Sequence, residues 1–175
     1  EDSEISDTLA EQLRKEGIDI HISTSAEQVR ITGKVYHLRC RHEDKGELEL
    51  EADAILVAVG RSPNVEGMGL DVAGVEYGNR GIEVDRLLRT SMNHIYACGD
   101  VAGPYPFTHM AEYQAGIVIS NAIFRFPKKT DYRVVPWVTY SDPELARVGI
   151  TEQQAQEQGI AVDVLRFPFR DIDRA

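Results

Sequence analysis

Cysteine is scarce in this chain of 175 residues. Cys40 and Cys98 lie far apart and fit neither a metal-site nor a redox-pair spacing. No run of Lys and Arg exceeds the pair Lys128-Lys129, and 19 basic residues stand against 29 acidic ones. The resulting net charge of −10 excludes nucleic acid and anionic membrane as natural partners. No apolar run is long enough to span a bilayer, and no signal peptide is recognisable. Repeats and low-complexity segments are absent. Together these point to a cytoplasmic, reducing setting. The chain opens on Glu1 rather than Met, and its last stretch, "RFPFRDIDRA", stops without a turn or capping signal. Both ends therefore read as cut, and the chain as a piece of a longer one.

What is present is the material for a core, with 42% hydrophobic residues. Ser3 to Gly17 predicts a helix, with Ser3 as N-cap, an apolar row of Ile5, Leu9 and Leu13, and Gly17 as a left-handed stop. "IDIHISTS" alternates as a half-buried strand does. "EQVRIT", "KVYHLRC" and "GELELE", punctuated by Gly33 and "HEDKG", predict an antiparallel meander.

"ADAILVAVG", ending at Gly60, is continuously apolar or small after Asp53, which predicts a strand buried on both faces. A glycine-rich surface crossing follows, with "GIEVD" as a brief strand and "HIYAC" as a second buried strand. Thr108 to Phe124 predicts a helix whose small residues Ala111, Ala115, Gly116, Val118 and Ala122 allow a close backbone neighbour. "VVPWVTYSDPELARVGI" reads as strand, turn and strand. Thr151 to Gln154 forms a capping box, and "AVDVLRFPF" reads as a last strand. The pattern changes near Lys129 to Arg133, which marks a domain boundary.

Two places carry candidate chemistry. Asp100 follows an apolar stretch and a glycine, so its acceptor-only carboxylate can point beyond the strand end toward a ligand hydroxyl. It can equally cap a local turn. Eight residues on, the helix starting at Thr108 offers N–H groups and a positive dipole end. Elsewhere, Gly60 lets a ligand approach the backbone, and Arg61 beside it calls for a phosphate or a neighbouring acid.

"DAILVAVGRSPN", "TSMNHIYACGDVAG", "FTHMAEYQAG" and "VPWVTYSDPELARVGITEQQA" occur in an order and spacing that resemble the flavoprotein pyridine nucleotide-disulfide oxidoreductases. The lipoamide-dehydrogenase and mercuric-reductase branches are the most similar. The resemblance implies an α/β fold built from parts of two Rossmann-like nucleotide-binding domains, with the antiparallel meander, followed by the start of an α+β dimerisation domain. Residues 1–60 would belong to the NAD(P) domain, 61–130 to the FAD domain and 134–175 to the dimerisation domain.

It further implies that Asp100 takes a ribityl hydroxyl of FAD. Pro106, Phe107, Thr108 and His109 would lie along the flavin's pyrimidine edge, Gly60 beside the NAD(P)H site, and Ala26, after the "HISTS" strand, at the adenosine end. The implied activity passes electrons from NAD(P)H through flavin to a disulfide or metal-ion substrate, in a homodimer. The family's glycine-rich diphosphate loops, its C-x4-C redox pair and its His-Pro catalytic base are missing from these residues. The segment alone is therefore expected to be inactive, with no catalytic residue and no metal ligand. Cys40, Cys98, His21, His37, His42 and His94 read as packing or surface residues. Two alternatives remain open: a non-catalytic, self-associating fragment, with Val134 to Phe169 as its sticky part, and a flavin reductase lacking the redox disulfide.

Overall fold

The computed structural model describes residues 1–172. The chain divides into two compact units, one of residues 1–57 with 133 onward, the other of residues 58–132.

In the first unit, α1 (Ser3–Lys15) forms as the apolar row suggests, although that row is only partly covered. Its N-cap position is Asp2, one residue before the expected Ser3. The Asp2 side chain does not cap its own helix; it accepts the Glu152 N–H at 2.9 Å. Gly17 is left-handed with φ 90°, as a helix stop requires.

The meander is β1 (Thr24–Thr32), β2 (Val35–His42) and β3 (Gly46–Ala52), antiparallel in sequence order. Its register separates two faces. Val29, Leu38 and Leu50 align across the strands, as do Ala26, Cys40 and Leu48. The opposite face aligns Arg30, His37 and Glu51, with ion pairs Arg30–Glu49 and Arg41–Glu27. One-residue slippage would exchange these faces, so burial of Cys40 fixes the pairing. The "IDIHISTS" strand does not form, because Ile22 and Ser23 make a turn and Ser23 takes φ 49°. The strand starts instead at Thr24.

The same unit holds the hairpin β6 (Pro136–Thr139) and β7 (Leu145–Val148), then α4 (Glu152–Glu157). Thr151 and Gln154 complete the expected reciprocal capping box. Arg147 lies over the Trp137 ring at 4.5 Å and reaches Glu1 at 3.6 Å, while the Trp137 indole N–H donates to Glu1 at 2.6 Å. "AVDVLRFPF" is not a strand among the described residues. An extended segment with no ladder partner leaves its backbone groups to water.

The second unit has a core of Leu70, Val75, Ile82, Ala97 and Ala102. Short elements carry it: α2 (Leu70–Ala73), β4 (Tyr77–Gly78), β5 (Gly81–Ile82), a 3-10 turn over Gly99–Val101 and α3 (Thr108–Ala122). The glycine-rich stretch is thus not merely a surface crossing; its Leu70, Val75 and Ile82 are core residues.

Both buried strands fail to form. "ADAILVAVG" leaves the meander at Ala52 and has Leu56 91% and Val59 94% exposed. "HIYAC" is extended with only an isolated bridge between Tyr96 and Arg89. A doubly covered strand needs neighbours on both edges and a layer on each face. No described element supplies those to either segment. The fold class stands nonetheless as mixed α/β with small antiparallel sheets.

α3 runs close to the expected span, but its buried stripe is Met110, Gln114 and Ile117 rather than the alanine row. Gly116 is open, with no atom near the position of an added Cβ.

Asp85 organises the segment before "HIYAC". Its carboxylate accepts from the Leu87 and Arg89 N–H groups at 2.8 and 3.0 Å and from the Arg89 guanidinium at 2.6 and 2.8 Å. This holds Leu88 buried at φ 63°, a backbone state that side chains rarely adopt. Partial burial pushes the Asp85 carboxyl up, but the Arg89 and backbone hydrogen bonds outweigh it, and the net direction is down. A lowered folded-state value gives stability that is present above the ordinary aspartate range and lost as pH falls through the lowered value. Asp85→Asn is expected to cost about 1 kcal/mol at neutral pH. The gap to the parent should narrow below about pH 4. Thermal melts followed by circular dichroism across pH check this, and a gap that is independent of pH would refute it.

Candidate functional site

Asp100 sits in the middle of the Gly99–Val101 turn, on the surface. Three constraints place that turn. The first is glycine at position 99, with φ 78°; a Cβ there would touch the Ala111 methyl at 3.4 Å, so the turn lies against the first turns of α3. The second is Gly81 in β5, which bridges to Ala102. A Cβ on Gly81 would lie 2.2 Å from the Val101 carbonyl oxygen. The third is Gln114 of α3, 1% exposed. Its Oε1 accepts the Gly99 N–H at 2.6 Å, while its Nε2 donates to the Tyr132 hydroxyl at 2.9 Å and the Ala102 carbonyl at 3.4 Å.

The Asp100 carboxylate is paired with Arg61 at 2.8 Å, with the side chains 40% and 72% exposed. An ion pair this exposed contributes about 0–1 kcal/mol to stability. Its consequence is mainly directional: it holds an accessible carboxylate beside an accessible guanidinium. Of the two partners open to Arg61 from sequence, phosphate or acid, the structure supplies the acid.

The start of α3 is equally open. Phe107 is its N-cap position and no side chain caps it. The Met110 and Ala111 N–H groups close back on the Phe107 carbonyl. Those of Thr108 and His109 have no acceptor within the helix, as geometry demands of a first turn. Pro106, Thr108 and His109 are exposed and Phe107 half-buried. The Phe107 and His109 rings stack at 5.5 Å, nearly parallel at 9°. An acceptor-only group and a set of free donors thus occupy neighbouring parts of one unit. The arrangement suits a ligand with hydroxyl groups and an electron-rich ring edge.

Gly60 belongs to the same unit. Its φ is 124° and no atom stands near an added Cβ, so its backbone is open to approach, although it ends no strand. Ala26 belongs to the other unit. It lies inside β1 rather than after a strand, paired with Cys40 next to a bulge. Cys40 and Cys98 are free thiols. No group of three or more metal-ligating side chains occurs among the described residues.

The sequence reading missed Gln114, Tyr132 and Gly81. Gln114 had a signal: it is the polar member of the i, i+4, i+7 stripe with Met110 and Ile117. Gly81 had none, since its need arises from the approach of Val101.

Comparison with known proteins gives this geometry a family. Residues 1–115 match the model described as pyridine nucleotide-disulphide oxidoreductase, and residues 135–175 match the dimerisation domain of the same group. The chain belongs to the pyridine nucleotide-disulphide oxidoreductase family. It is 38% identical over 175 residues to mercuric reductase of Staphylococcus aureus, covering 99% of this chain and 32% of the relative. It is 39% identical over 173 residues to dihydrolipoyl dehydrogenase of Mycobacterium leprae, covering 97% of this chain and 36% of the relative. Among solved structures, the HOCl-induced flavoprotein disulfide reductase RclA from Escherichia coli superposes with TM-score 0.84 at 32% identity, over 100% of this chain and 40% of that one. LpdA from Mycobacterium tuberculosis gives 0.86 at 27% identity, over 99% and 37%. The chain spans about a third of the length of the curated relatives it matches.

The Gly81 contact yields a direct test. Gly81→Ala combines a backbone clash with an unfavourable positive φ of 102°. It is expected to cost about 2–4 kcal/mol in denaturant unfolding. A loss under about 0.5 kcal/mol would mean that β5 and the Asp100 turn are not held so close.

Proposed function

We propose that this chain supplies one side of the flavin site, and part of the NAD(P)H site, of an oxidoreductase that passes electrons from NAD(P)H through FAD to a disulfide or metal-ion acceptor. The observation that carries it is the packing of the Asp100 turn against the uncapped start of α3. The residues fit the group: an exposed carboxylate for a ribityl hydroxyl, and exposed N–H donors for an electron-rich ring edge. When bound, FAD supplies the two-electron chemistry between nicotinamide and acceptor.

In this reading Asp100 accepts the hydroxyl and Arg61 keeps the carboxylate aimed. Pro106, Phe107, Thr108 and His109 border the ring edge. The helix dipole at Thr108 and His109 favours negative charge held there. Gly60 offers its open backbone to the nicotinamide nucleotide, and Ala26 its backbone to the adenosine end. Residues 1–60, 61–130 and 134–175 are assigned to the NAD(P), FAD and dimerisation domains, in an enzyme working as a cytoplasmic homodimer. No helix of the described residues is long and apolar enough to cross a membrane. Neither cysteine is given a redox role.

Titration with FAD, followed by flavin fluorescence and by NAD(P)H oxidation, tests the reading. Weak binding, with Kd above about 10 μM, and no turnover are expected. Tight stoichiometric binding with turnover would show that these residues hold a complete site.

Self-association is a second reading, favoured by the exposed Val134, Tyr140, Val148, Leu165 and Phe167. They lie in or beside the segment matched by the dimerisation domain. Sedimentation is expected to show a dimer or larger species; a strictly monomeric, folded chain would contradict it.

A further inference from the structure

We infer that Gln114, backed by Tyr132, is the positioning residue for the Asp100 carboxylate; this rests on the reading of Asp100 as a flavin contact. One buried amide holds both ends of the turn that carries the carboxylate. Its oxygen takes the Gly99 N–H and its nitrogen donates toward the Ala102 carbonyl, so the residues on either side of Asp100 and Val101 are tied to a single side chain. The amide group itself is fixed by the Tyr132 hydroxyl, which receives its other N–H. A flipped amide would present a donor to the Gly99 N–H and an acceptor to the Ala102 carbonyl, so these two backbone groups make only one orientation productive. Gly103 completes the fit, since a Cβ there would stand 3.2 Å from the amide nitrogen.

Gln114 lies on α3, the same helix whose first turn holds the ring-edge donors. Carboxylate and donors are therefore referenced to one rigid element, six residues apart along it from Thr108 to Gln114. The stripe residues around Gln114 could have been wholly apolar for packing alone. A buried polar group that binds the backbone of one particular turn acts on orientation, because its loss leaves the Gly99 N–H without its partner.

The test separates positioning from bulk stability. Gln114→Met keeps length and removes every hydrogen bond. Tyr132→Phe removes only the group behind the amide. Ile117→Ala, at a fully buried position on the same stripe whose side chain can form no hydrogen bond to the turn, serves as the structural control. Gln114→Met is expected to weaken FAD binding about tenfold, or about 1.4 kcal/mol, and Tyr132→Phe by a smaller factor. Ile117→Ala should lower the melting temperature at least as much while leaving FAD affinity unchanged. Amide hydrogen exchange without ligand should accelerate at Gly99 in Gln114→Met and not in Ile117→Ala. Equal loss of affinity in Gln114→Met and Ile117→Ala, or unchanged exchange at Gly99, overturns the inference. Accelerated exchange at Gly99 together with no flavin binding by the parent chain overturns instead the assignment of Asp100 to flavin, and the ligand role of Gln114 with it.

Discussion

The second unit depends on one buried amide. Without the bonds from Gln114 to Gly99 and Ala102, the 3-10 turn would keep only its apolar contact with Ala111 and have no hydrogen bond to α3. A buried primary amide with a missing partner is costly, and a turn carrying an exposed charge has little apolar surface with which to compensate. Helix, turn and β5 are each too short to be stable alone, and they meet within a few residues of this contact. The chemistry of the site follows from the same geometry, because a carboxylate is useful to a ligand only when its direction is set.

Arg61 shows how a modest interaction can matter for function without mattering for stability. Its pair with Asp100 is exposed on both sides, where solvent and salt screen it. Such a pair scarcely stabilises a fold, but it keeps a charged acceptor in company until a hydroxyl arrives. The residue after Gly60 and the residue after Gly99 meet in this way, linking two of the sequence motifs that suggested the family.

Much of this was legible in the residues. The meander could be read from three short segments set apart by Gly33 and "HEDKG", and it formed with Leu38, Cys40 and Leu50 on one face. The capping box at Thr151 and Gln154 is local chemistry and formed as written. The start of α3 at Thr108 follows Pro104 and Pro106, which resist continuation as helix, and it formed where the residues placed it. The failures are equally physical. "ADAILVAVG" has the composition of a central strand, but composition specifies a need for neighbours, and none of the described elements meets it. Gln114 was hidden because small residues drew attention to the other face of α3. The demand for glycine at position 81 comes from a backbone oxygen twenty residues later, and no local pattern encodes that.

The Trp137 corner has a practical consequence. The chain has a single tryptophan, and residues 58–132 contain none. Arg147 lies over its indole and Glu1 accepts its N–H. Tryptophan emission therefore originates in the first unit alone. That emission is sensitive to its immediate polar company, so loosening of the Glu1–Trp137–Arg147 corner can be followed with no other indole contributing.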